Sequence, residues 1–97
     1  MTRRAVSPSD KLRICDGVTA RDFDGEWIIL DLSGGNYFGL NEIGGLIWQQ
    51  LVAGRSISEI AAALAPDYDA EEPALLGDVV ALANELLERG LMKFQEP

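Results

Sequence analysis

The sequence predicts an α+β domain of winged-helix-like architecture, with a three-stranded antiparallel sheet followed by three helices. Three observations carry that prediction. From Trp27 to Leu32 the residues alternate with a period of two, Trp27, Ile29 and Asp31 against Ile28, Leu30 and Leu32, the pattern of a strand. Turn residues bracket the run, Asp24-Gly25 before it and Ser33-Gly34-Gly35 after it. From Asn41 onward the apolar period lengthens to that of helices, with capping residues at each break.

Residues 1–11 are expected to form a flexible N-terminal tail, and residues 12–97 one domain with a modest core. Residues 12–15 read as an extended lead-in and Val18–Phe23 as the first strand of the sheet. Asp24-Gly25 supplies the positive backbone angles of a two-residue hairpin and leads into a second strand over residues 26–32. The glycine turn then opens a short third strand, Asn36–Leu40, at the end of the meander with one edge unpaired. Asn41 caps a first helix over residues 42–53, with Ile43, Leu46, Ile47 and Leu51 at helical spacing and Gly54 as its stop. Ser56-Ile57-Ser58-Glu59 is a capping box for a short second helix that ends before Pro66. An acidic loop, residues 67–72, precedes a third helix with Pro73 in its first turn and Gly90 closing it after Arg89. Residues 91–94 form a brief final strand.

Composition excludes several kinds of chemistry. The 97-residue chain has no histidine and one cysteine, Cys15, which removes the commonest acid–base group and the commonest zinc ligand. A lone cysteine without histidine is a poor nucleophile, and it fits a reducing, cytoplasmic setting. No apolar run approaches the ~20 residues of a membrane span, and the polar N-terminus has no signal-like apolar centre. No catalytic residue, metal site or cofactor is expected. Ser33-Gly34-Gly35 lacks the lysine and following helix of a phosphate loop. Asp67, Asp69, Glu71 and Glu72 lack the pattern of a calcium loop.

The net charge of −8 is uneven. Residues 1–21 carry Arg3, Arg4, Lys11, Arg13 and Arg21 against Asp10 and Asp16, whereas from Glu42 onward Arg55, Arg89 and Lys93 face ten acids. Helix, turn, helix and short strand is also the plan of a winged-helix DNA reader. The third helix and its approach carry Glu71, Glu72, Asp78, Glu85 and Glu88 against Arg89 alone, so they would repel phosphate. Nucleic acid is excluded as a partner, and a basic or apolar one is favoured.

Two features remain for a binding role. The third strand has neither the charges nor the proline that guard an exposed edge, and Gly39 lets another backbone approach closely. In the third helix Leu75, Leu76, Val79, Val80, Leu82, Ala83, Leu86 and Leu87 spread over about 160° of a wheel at 100° per residue. A surface helix typically shows a stripe nearer 100°. Either that helix is central in the core, or one edge of its stripe, holding Leu75, Leu82 and Asp78, is left for a partner. Phe38 and Trp48 are expected in the core.

The chain resembles the PqqD-like family, small domains that recognise the precursor peptides of ribosomally synthesised, post-translationally modified natural products. The carriers are Trp27-Ile28-Ile29-Leu30-Asp31, Tyr37-Phe38-Gly39-Leu40-Asn41, Ile47-Trp48, Ser56-Ile57-Ser58-Glu59-Ile60 and Asp78-Val79, in order over most of the chain. The resemblance implies that a leader peptide adds as a strand against the third strand and is clamped by the third helix. The expected peptide-binding residues are Asn36, Tyr37, Phe38, Gly39, Leu40, Leu75, Asp78, Val79 and Leu82. Leu75 and Leu82 rest on the wheel, while Tyr37 to Leu40, Asp78 and Val79 match the family's motif positions. The expected partners are a precursor peptide and its modifying enzyme, such as a radical-SAM protein or a leader peptidase. The alternative is a winged-helix protein-interaction or transcription-associated module.

Overall fold

The computed structural model describes residues 5–68 and 71–95. In chain order its elements are β1 (Leu12–Ile14), β2 (Val18–Phe23), β3 (Glu26–Asp31), β4 (Asn36–Leu40), α1 (Glu42–Val52), α2 (Ile57–Leu64), a 3-10 turn at Pro66–Tyr68, α3 (Glu72–Glu88) and β5 (Met92–Phe94). The main sheet is an antiparallel meander in the order β2-β3-β4, as the sequence predicts. A second, two-stranded sheet pairs β1 with β5, Arg13 opposite Lys93. No described helix is long and apolar enough to cross a membrane.

Turn chemistry sets the strand lengths. Asp24 and Gly25 both take positive φ, 57° and 89°, the geometry that the β2–β3 hairpin needs. At the other end β3 stops at Asp31, one residue earlier than the alternation implies. The Asp31 carboxylate accepts the backbone N–H groups of Ser33 and Gly34, each at 3.1 Å. That side-chain turn ends the ladder and leaves Leu32 70% exposed.

One face of the meander is covered. Ile29, opposite Ala20 and Phe38, is fully buried, and the core continues through Ile47, Trp48 and Leu51 of α1, Ile57 and Ile60 of α2, and Leu75, Val79, Ala83 and Leu86 of α3. Trp48 is in the core as expected, but Phe38 is only half-buried. Gly45 is what brings α1 onto the sheet. A Cβ there would collide with the Trp27 indole, so only glycine permits this approach.

The caps form where the sequence places them. The Asn41 side chain accepts the Gly44 N–H at 2.8 Å. In α2 the Ser56 hydroxyl accepts the Glu59 N–H at 3.2 Å, and the Ser56 N–H donates to the Glu59 carboxylate at 2.8 Å. Next to this box lies a departure from expectation. Residues 5–10, read as flexible tail, make contacts: Val6 is buried, and the carbonyls of Pro8 and Asp10 accept the Ser58 and Ile57 N–H groups at 2.8 and 3.0 Å. Those two donors have no partner within α2 itself. Residues 1–4 of the expected tail, and Asp69 in the acidic loop, lie outside the described residues.

Two consequences are testable. Backbone and hydroxyl hydrogen bonds from Ser56 hold the Glu59 carboxyl below its ordinary value of 4.5. A carboxyl depressed in the folded state stabilises the fold above the unfolded value, and that contribution disappears as pH falls through the folded one. Ser56→Ala is expected to cost about 1 kcal/mol at neutral pH and to lose less further stability than wild type as pH drops below about 4.5. Urea midpoints at both pH values check this. Gly45→Ala sets a helix-propensity gain of about 1 kcal/mol against overpacking of about 1–3 kcal/mol. Net destabilisation is expected, and a raised melting temperature would show that Trp27 can slide aside.

Candidate functional site

Among the described residues, strand β4 pairs with β3 on one side only. Along its other edge Asn36, Tyr37 and Gly39 are exposed, Tyr37 at 75%. A Cβ at Gly39 would meet nothing within 4 Å. The chain thus leaves a row of strand donors and acceptors available beside open space. Pleating sends Asn36, Phe38 and Leu40 to the covered face and Tyr37 and Gly39 to the opposite one.

Two cavities lie end to end along this edge, because successive β4 residues line first one and then the other. The first, about 300 Å³, is bounded by Asn36, Tyr37 and Phe38 on the strand side and by Arg89 and Leu91 opposite. The second, about 380 Å³, is bounded by Gly39 and Leu40, by Ile43, Gly44 and Ile47 of α1, and by Asp78 and Leu82 of α3. Together they form a groove with β4 on one side and α3 on the other. Its middle is aliphatic and its ends are charged. The Arg89 guanidinium lies over the Phe38 ring, 4.5 Å from the centroid, donates Nε–H to Glu85 one turn back at 3.2 Å, and forms an ion pair with it through Nη2 at 3.1 Å. Such an exposed pair contributes little to stability, so it orients the guanidinium more than it holds the helix.

The expected site residues divide. All five of Asn36 to Leu40 line the groove, and so do Asp78 and Leu82. Leu75 and Val79 do not, since they are 2% and 0% exposed within the core. Leu75 and Leu82 share nearly one angle on the wheel, but exposure also depends on where neighbouring elements end along the helix axis, which a wheel omits. Asn41, Ile43, Gly44, Ile47, Arg89 and Leu91 also line it and were not among the expected residues. The available signal was Arg89, one of three cations after Glu42 and at the margin of the apolar stripe. Cys15 lies outside both cavities and is half-buried. Among the described residues no three potential metal ligands gather.

The fold and groove define a winged-helix-like α+β domain with one open strand edge facing a helix. The sequence model of Coenzyme PQQ synthesis protein D (PqqD) matches residues 26–92, and the chain belongs to that family. Solved structures agree. The complex of TbiB1 with the TbiA(beta) leader peptide superposes at a TM-score of 0.79 with 29% identity, covering 88% of this chain and 99% of that one. A lasso peptide synthetase B1 complexed with its leader peptide gives 0.80 and 29%, covering 86% and 98%. The PqqD truncation of Methylobacterium extorquens PqqCD, a stand-alone recognition element for ribosomally synthesised and modified peptides, gives 0.78 and 25%, covering 92% and 95%. No curated protein matches the chain by sequence.

The division of α3 is open to direct measurement. Leu75→Ala empties a buried site and should cost about 2–5 kcal/mol. Leu82→Ala, at a half-exposed position, should cost clearly less by denaturant midpoint. Equal losses would place Leu82 in the core.

Proposed function

We propose that this domain binds the leader segment of a ribosomally made precursor peptide as an added strand on β4 and presents it to a modifying enzyme or leader peptidase. The unpaired β4 edge, set beside cavities lined by β4 and α3 residues, is the observation that carries this reading. Main-chain hydrogen bonds along β4 supply affinity, and the groove between β4 and α3 receives alternate side chains of the peptide. Two of the similar structures hold a leader peptide and the third is a recognition element, which supports the same role here. The domain's task is then recognition, with chemistry left to a partner such as a radical-SAM protein. The acidic third helix opposes the nucleic-acid reading of the same architecture.

Proline at Gly39 tests the docking edge. It deletes a donor or bends the strand at an exposed position where added side-chain atoms meet open space. Fluorescence-anisotropy titration would use labelled N-terminal segments of the short open reading frames flanking the gene. Gly39→Pro is expected to abolish binding while lowering stability less than Ile29→Pro does. Unchanged affinity in a folded Gly39→Pro protein would show that β4 is not the docking edge. Failure of every such peptide to bind wild type would remove the leader reading.

A further inference from the structure

We propose that the groove is electrically polarised and selects its peptide by opposite charges at two inward-facing positions, a basic residue and then an acidic residue four places later. This rests on the peptide reading above and specifies the ligand.

The positive end is Arg89. Its side chain is 50% exposed and sits over Phe38, on the face of β4 that an added strand's inward side chains share. Glu85 accepts the Nε–H through one oxygen, which also lies 3.1 Å from Nη2 and so occupies at most two donors. At least three of the five guanidinium donors therefore remain for a second carboxylate, at the mouth of the cavity beside Asn36 and Leu91. Arg55 and Lys93, the other cations after Glu42, line neither cavity.

The negative end is Asp78. It is exposed, lines the cavity at Gly39 and Leu40, and its carboxylate forms no ion pair or hydrogen bond with another described residue. The start of α1 at this end would itself attract anions. There the Asn41 side chain occupies the Gly44 N–H, and Glu42 adds a negative charge in the first turn.

Two rulers give the spacing. Asp78 and Arg89 are three turns apart on α3, about 16 Å at 1.5 Å per residue, close to five strand residues at about 3.3 Å. Along β4 the same ends are marked by Leu40 and Asn36, four residues apart. Inward-facing positions recur every second residue, so the spacing is four, which matches the β4 ruler and falls about 3 Å short of the helical one. Every pair in the main sheet is antiparallel. A peptide continuing that pattern enters at Leu40 and leaves at Asn36, so its basic residue precedes its acidic one.

Long-range electrostatics oppose this outcome at one position, which sharpens the test. A domain of charge −8 favours uniformly basic peptides, so an acid retained at one place reports Arg89. A randomised decapeptide library on phage would be selected against the wild-type domain and against Arg89→Glu, with Arg89→Gln replacing the latter if it fails to fold. Wild type is expected to enrich Lys or Arg followed four residues later by Asp or Glu. The acidic preference should vanish in the variant, and Arg89→Lys should keep it if charge rather than stacking matters. For one enriched synthetic peptide, changing the acid to lysine should weaken wild-type binding about tenfold, and Arg89→Glu should restore it. Pools of bound peptides with identical preferences from wild type and variant would overturn the inference and leave peptide binding standing. No enrichment on folded wild type would remove the peptide reading and this inference together.

Discussion

The contact between Gly45 and Trp27 governs the arrangement of everything around the groove. Helix α1 begins after a single residue beyond β4, so the chain has no slack with which to adjust one element independently of the other. Seating α1 against the Trp27 indole, which only glycine allows, places Ile43, Gly44 and Ile47 beneath the open edge. It also fixes Asn41, whose side chain accepts the Gly44 N–H, and hence the direction in which β4 delivers Leu40. A bulkier residue at Gly45 would lift the helix and close or widen the groove before any groove residue was altered. The wall opposite is set separately: α3 packs on α2, and its buried row of Leu75, Val79, Ala83 and Leu86 turns Asp78 and Leu82 outward toward β4.

What was legible in the sequence follows from the range of the interactions involved. The hairpin at Asp24-Gly25, the Asn41 cap, the Ser56–Glu59 box and the glycine after α3 depend on residues within four positions of each other, and local pattern reports them. The unguarded β4 edge was equally legible, because guarding is a matter of which residues are present. Pairing of β1 with β5 was not. Each contributes three residues, and Leu12 and Phe94 meet only once the whole domain has closed. The backbone carbonyls of Pro8 and Asp10 that serve the start of α2 have no side-chain signature at all. In α3 the periodicity located the apolar stripe but could not rank depth within it, so Leu75 read like Leu82, while Val79 was placed in the site by the family resemblance and is buried in the core. Arg89 looked like a boundary charge, and its place over Phe38 depends on tertiary packing.

An unpaired, weakly protected edge invites self-association as readily as peptide binding, and the physical reasons it can stay open lie outside the groove. Strand β4 is five residues long and contains a glycine, so a copy pairing edge to edge would gain few hydrogen bonds for the ordering it requires. Each copy also carries a charge of −8, and two such domains repel as they approach. A short peptide escapes both penalties. It does not carry a second charge of −8, and its side chains can also contact the groove between β4 and α3. The acidity that disfavours phosphate therefore also disfavours a second copy of the chain at the β4 edge.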